Sequence, residues 1–182
     1  MKKWKKIRTK EAMDIGGRYR IEVDEVVSPG GKTTTYSVVR MHPYSVIIPI
    51  DAKGKMYMVR QHRYTTDTVM LEFPMGSTDG EDPLAAAKRE LEEESELESD
   101  EWIELGRIQE LKGISDSTGY LYLVRNVKPV LNPKLDPEDK DLIERLTLTA
   151  DEVRQKIAKG EINDASTICA FTKAEFMGLL KK

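Results

Sequence analysis

A chain of 182 residues with 39% hydrophobic and 34% charged residues carries enough apolar material for a folded core, which excludes an intrinsically disordered protein. Its length suits one domain with a small appendage. A net charge of -3 argues against nonspecific nucleic-acid binding as its main business, and the single cysteine, Cys169, excludes an internal disulfide and a cysteine-based zinc site.

The N-terminal MKKWKKIRTK is basic, but no apolar signal segment follows it and no apolar run approaches the ~18 residues of a membrane span. A cytoplasmic protein without a membrane partner is expected. Residues 20–27 largely alternate, Ser28-Pro29-Gly30-Gly31 turns the chain, and residues 33–40 are rich in β-branched and aromatic types, which predicts a hairpin. Residues 45–50 and 55–60 flank the turn Asp51-Ala52-Lys53-Gly54 and form a second pair, in which Pro49 points to an edge strand or a strand end. Residues 69–73 read as a short strand before the loop of residues 74–80, whose Pro and Gly residues exclude a regular element.

A helix follows, with Asp82 as N-cap and Pro83 at its first position, where the missing N–H costs nothing. Further strands fit residues 102–108, 120–124 and 142–148, with a proline-punctuated acidic loop before the last. Helices fit residues 150–159 and 172–180, and Cys169 is expected to pack as a small buried hydrophobe. Strands with helices at the middle and end place the chain in the α/β or α+β class, a sandwich of sheet and helices.

The middle helix holds the informative pattern. At about 100° per residue, Leu84, Ala87 and Leu91 share an apolar stripe, with Glu90 and Glu94 side by side next to it and Glu93 about 60° further round. Glu94 projects only about 20° from Ala87 on the same wheel, so its carboxylate belongs at the core boundary, where an unpaired charge is costly. Two readings stand: a solvated acidic helix, or a carboxylate set that holds a divalent cation. With no thiolate or imidazole nearby, the second would suit Mg²⁺ or Mn²⁺.

Glu81, then seven residues, then Arg89-Glu90-Leu91-Glu92-Glu93-Glu94 resembles the core of the Nudix box, G-x5-E-x7-R-E-U-x-E-E-x-G-U with U apolar. Outside the box, Gln61-His62-Arg63-Tyr64 with Leu71-Glu72-Phe73-Pro74-Met75-Gly76, and Gly160-Glu161-Ile162-Asn163-Asp164-Ala165-Ser166-Thr167, resemble stretches of the ADP-ribose pyrophosphatase branch. The resemblance implies a Nudix fold, a mixed β-sheet sandwiched between helices, with residues 1–41 as an N-terminal β-hairpin appendage used in dimerisation and residues 42–182 as the hydrolase domain. It implies Mg²⁺- or Mn²⁺-dependent cleavage of the diphosphate of ADP-ribose or a related nucleotide sugar by a homodimer, giving a nucleoside monophosphate and a sugar phosphate. GDP-mannose hydrolysis, or a Nudix-fold binding module without turnover, are the alternatives.

By the same resemblance Glu90 and Glu94 would be principal metal ligands, Glu93 a further or water-mediated one, and the Met75 carbonyl a backbone ligand. Glu81 and Arg89 would be an internal support pair. Arg63, with Arg60 and Gln61, would serve the substrate, the arginines supplying charge to the diphosphate; the alternative for both is a surface strand with its charges in water. Glu72 would add a ligand, bind ribose, or simply end its strand in a salt bridge. Glu138 is the expected general base, with Asp139 and Asp141 close behind; each is otherwise a solvated loop acid. Two departures stand out: Gly76 sits one position later than the box glycine, and Glu96 replaces the late glycine, which would be strained if that site needs positive φ.

Overall fold

The computed structural model describes residues 1–131, 133 and 143–180. They fall into two compact units, one of residues Met1–His42 with Gln109–Thr118, the other of Pro43–Ile108 with Gly119–Lys182. Glu138, Asp139 and Asp141 lie outside the described residues.

The first unit is an antiparallel sheet of β1 (Lys5–Ile15), β2 (Tyr19–Val27) and β3 (Thr33–Met41) in that order. Gly16 and Gly17, at φ 63° and 71°, turn β1 into β2, and the Arg18 N–H closes the turn on the Ile15 carbonyl at 3.2 Å. Positive φ at both central residues is the hairpin geometry that matches strand twist. β1 escaped the sequence reading because its side chains, exposed apart from the partly covered Thr9, mix charged and apolar types with no alternation. On β2, Glu22 and Asp24 are buried and ringed by Lys6, Arg20 and Arg40. The Arg40 hydrogen bond holds Glu22 below the usual carboxylate range, and the Lys6 hydrogen bond does the same for Asp24. Residues 109–118 join this unit through the Tyr36 hydroxyl, which donates to the Gly113 carbonyl at 2.8 Å, and through Arg40 on Asp116 at 2.9 Å.

The second unit holds, in chain order, β4 (Tyr44–Ile50), β5 (Met56–Arg63), β6 (Thr68–Glu72), β7 (Met75–Ser77), α1 (Pro83–Ser95), β8 (Leu97–Glu98), β9 (Glu101–Ile108), β10 (Gly119–Arg125), β11 (Lys128–Pro129), β12 (Ile143–Leu148), α2 (Ala150–Ala158) and α3 (Ala165–Phe176). Its mixed sheet runs β12-β5-β4-β10-β9, with β6 on β5 and β7 on β4. β4 and β10 are parallel, and the remaining pairs of this sheet are antiparallel.

Strand alternation divides the core in two. Val46, Ile48 and Ile50 of β4 and Leu121 and Leu123 of β10 face Val153, Ala170 and Phe171 of α2 and α3. Ile47, Tyr122 and Val124 face Ala87 and Leu91 of α1. The sheet is therefore sandwiched between α1 and the α2/α3 pair, the expected mixed α/β layering.

Four expectations need correction. Pro49 lies in a buried central strand, not at an edge, although it stands one residue before that strand's end at Ile50. The N–H groups of Ile47 and Asp51 point to the β5/β7 side, onto the Pro74 and Lys55 carbonyls, so residue 49 faces that side too, where β5 pairs with β4 only at Ile50↔Met56 and no ladder donor is missed. The loop after Phe73 contains the short strand β7, which pairs with β4. The last helix starts at Ala165 instead of residue 172, because Asp164 caps it by accepting the Thr167 N–H at 2.7 Å. Cys169 is exposed, since α3 buries Ser166, Thr167, Ala170, Phe171 and Ala174 and position 169 falls on the other side of the wheel.

Candidate active site

α1 is positioned at both ends. Asp82 accepts the Leu84 and Ala85 N–H groups at 3.0 and 3.1 Å, Pro83 opens the helix, and Ser45 of β4 donates to the Pro83 carbonyl at 2.7 Å. Ala86, Ala87 and Leu91 are buried, and Glu90 and Glu94, which fall between Ala86 and Ala87 on the helix wheel, reach the backbone of residues 75 and 76. The Met75 N–H donates to the Glu94 carboxylate at 2.9 Å. The Glu90 carboxylate lies flat on Gly76, where an added Cβ would come within 2.1 Å of its Cδ. Gly76 thus leaves the space that Glu90 fills, although it stands one position late in the box.

Burial sets the electrostatics. It pushes the Glu94 carboxyl up to about 8, against the pull of the Met75 N–H, and Glu90 adds to the rise. Burial also raises Glu90, against Arg89. Arg89 threads between the acids: one Nη is 2.7 Å from Glu90 and 2.8 Å from Glu93, the other donates to the Ser77 carbonyl at 2.9 Å, and Nε lies 3.4 Å from Glu81. Burial works against the Arg89 charge, but Glu90 and Glu93 outweigh it and hold its pKa above the ordinary value.

On the sheet, Glu72 is only 2% exposed and receives Arg63, whose Nε lies 3.0 and 3.1 Å from its two oxygens. That hydrogen bond raises the Arg63 pKa, and the fields of Glu94 and Asp164 add to it. Arg60 stands apart, in a cross-strand pair with Glu144 at 3.0 Å. Gln61 has a buried Nε2 without a partner among the described residues.

Two supporting residues have roles that the sequence does not show, although Thr167 closes the 160–167 stretch that carries the resemblance. Thr167 of α3 accepts the Phe73 N–H at 3.0 Å and so fixes the backbone between Glu72 and Met75. Arg145 of β12 donates to the Glu94 carbonyl at 2.7 Å. Both contacts join segments that only the fold brings together.

Among the described residues no three acidic, histidine or cysteine side chains converge as a formed metal cluster; Arg89 takes oxygens of Glu90 and Glu93 and Met75 takes one of Glu94. The donor chemistry nonetheless fits a hard cation. Glu90 and Glu94 meet the adjacent backbone positions Gly76 and Met75, both offer oxygen only, and neighbouring carboxylates withdrawn from water favour a bound cation.

The NUDIX domain family model matches residues 41–171. The chain belongs to the Nudix family. It is 32% identical to a methanol dehydrogenase activator of Bacillus methanolicus, over 97% of this chain and 95% of that one. It is 31% identical to an ADP-ribose pyrophosphatase of Mycobacterium tuberculosis, over 87% and 77% of the two chains, and 27% identical to one of Bacillus subtilis, over 88% and 87%. The solved structure of an ADP compounds hydrolase superposes with a TM-score of 0.79 at 17% identity, covering 98% of this chain and 97% of that one, so the Nudix fold is shared. This Nudix protein is a hydrolase acting on pyrophosphate bonds. Among the described residues no helix is long and apolar enough to cross a membrane.

Proposed function

We propose that this Nudix hydrolase cleaves the diphosphate of ADP-ribose or a related nucleotide sugar, releasing a nucleoside monophosphate and a sugar phosphate. The observation that carries the reading is the partly buried meeting of Glu90 and Glu94 with the Met75–Gly76 backbone, beside two cations, Arg63 on Glu72 and Arg89 on Glu90. Two relatives that span most of this chain are ADP-ribose pyrophosphatases.

Glu90 and Glu94 would hold Mg²⁺ or Mn²⁺, with Glu93 and the Met75 carbonyl as further ligands. When bound, such a cation neutralises phosphate charge and makes water a better nucleophile. Arg63 adds positive charge for the diphosphate, and its bidentate seat on Glu72 fixes the direction in which that charge is presented. Arg89, braced by Glu81 and the Ser77 carbonyl, holds Glu90 and Glu93 in register. Gln61 lies on the substrate strand, and Arg60 serves the substrate side only by leaving Glu144. In the hydrolysis the water oxygen bonds to phosphorus, the bridging P–O bond breaks, and Glu138 takes the water proton. Positioning and charge stabilisation supply most of the barrier reduction.

The test is a panel of ADP-ribose, GDP-mannose and other nucleotide sugars with Mg²⁺, Mn²⁺ or chelator, scored for phosphomonoester release. ADP-ribose is expected to be cleaved fastest and only with metal. Preference for GDP-mannose would move the assignment to the other base, and turnover of none would place the substrate outside the nucleotide sugars. Residues 1–41 are read as the dimerisation element of a homodimer, supported by exposed Met13, Ile15, Tyr19 and Ile21 on paired strands. Sedimentation of a Met13→Glu/Ile21→Glu variant, expected to be monomeric, checks this.

A further inference from the structure

α1 ends in a conformation that its own sequence opposes. Glu96 is the C-cap, at φ 58° and ψ 33°, with its N–H on the Glu92 carbonyl. Glycine is the usual residue in this left-handed conformation, because a Cβ there crowds the backbone. A glutamate also adds negative charge at the negative end of the helix dipole, beside carbonyls that have no partner within the helix. α1 has no basic residue in its last turn to offset this.

The offset comes from β12. Arg145 donates through Nε to the Glu94 carbonyl at 2.7 Å and through Nη2 to the Glu93 carbonyl at 3.4 Å, and its Nη1 lies 3.2 Å from the Glu96 carboxylate. One guanidinium therefore meets two orphan carbonyls and the side chain of the left-handed residue. A planar fork can reach three acceptors at once, which a lysine ammonium on a flexible stem does less well. Arg145 is itself placed by the sheet: it pairs with Val59 across β12 and β5, and Val59 pairs with Glu72 across β5 and β6. The rung that presents Glu72 also presents Arg145.

We propose that Arg145 stands in for the missing cap glycine as a positioning residue, clamping the last turn of α1 so that the Glu93 and Glu94 carboxylates keep their aim relative to Glu72. This rests on the reading of those carboxylates as the metal-holding set. Residues that act through the ligands change metal affinity by about 10- to 100-fold when removed, so a clamp on the ligand backbone should be visible in metal binding and not only in stability.

The experiment compares wild type, Arg145→Met, Glu96→Gly and the double variant, each as the full chain. Mn²⁺ affinity by calorimetry, melting temperature in chelator, and kcat and KM on the best substrate of the panel are measured. Arg145→Met is expected to bind Mn²⁺ at least fivefold more weakly and to lose at least tenfold in kcat, with KM within threefold. Its melting temperature should fall by about 3 °C or more. Glu96→Gly is expected to recover at least half of the lost Mn²⁺ affinity in the Arg145→Met background and to change little in the wild-type background.

A lower melting temperature with wild-type Mn²⁺ affinity and kcat would make Arg145 a packing residue and overturn the proposal. So would a Glu96→Gly change that recovers nothing. If Arg145→Met does not fold, Arg145→Lys takes its place in the same comparison, with the same two outcomes. The calorimetry needs no nucleotide, so failure of the substrate panel leaves it intact, whereas wild-type protein without Mn²⁺ affinity removes the metal reading itself.

Discussion

The Met75 N–H donates to the Glu94 carboxylate at 2.9 Å, tying the short strand after the Phe73–Pro74 turn to the last turn of α1. A glutamine at 94 keeps an oxygen that can accept this hydrogen bond but carries no charge. Glu94→Gln is therefore expected to fold normally and to lose at least about 10²-fold in kcat, as read by steady-state kinetics beside a melting curve. Full activity would remove Glu94 as an essential ligand.

The raised titration of Glu94 has a stability consequence with a definite sign. Its carboxyl titrates near 8 in the folded protein, against an ordinary value of 4.5. Between these values the folded protein keeps a proton that the unfolded chain has released, so stability falls as pH rises across the window. In chelator the melting temperature should drop from pH 5 to pH 8, and Glu94→Gln should flatten that slope. Glu22 and Asp24, shifted downward, act in the opposite sense, and their contribution is lost only as pH falls through the acid range.

Gly76 has no room for a side chain, because a Cβ would meet the Glu90 carboxylate. Gly76→Ala should displace that carboxylate and cost about 1–3 kcal/mol through overpacking, with a fall in kcat larger than the loss of stability alone would cause. Urea unfolding and kinetics on the same preparation check it. Unchanged activity would show that Glu90 moves aside without consequence.

Glu72 is buried and faces Arg63. Removing one partner leaves a buried charge uncompensated, so Arg63→Met should destabilise by about 3–5 kcal/mol. Arg63→Met/Glu72→Gln should recover much of that loss, since the second change removes the orphaned charge. A double-mutant cycle in urea measures the coupling; additive losses would mean that the pair does not act as a unit.

What could be read from the chain alone followed the range of the forces involved. The start of α1 was legible because Asp82 and Pro83 act on the residues next to them, and the Glu90/Glu94 pairing because 3.6-residue periodicity places both on one face. Asp164, an N-cap of the same kind as Asp82, marks the true start of α3 just as locally, seven residues ahead of the expected one. β1 was illegible because neither of its faces is buried, so no alternation is imposed on its side chains. Pro49 misled because the rule against proline in central strands concerns a missing donor, and here β4 changes partner at the place where that donor would have pointed.

The linear order of residues was enough to specify the family, the helix that carries the acids and the chemistry of their oxygens, since all of these depend on identities at fixed short separations. Folding alone decided how dry Glu94 and Glu90 are, that Arg63 seats on Glu72, and that Arg145 closes the end of α1. Those relations cross from sheet to helix or from strand to strand. They are set by register and burial, which no local run of side chains encodes.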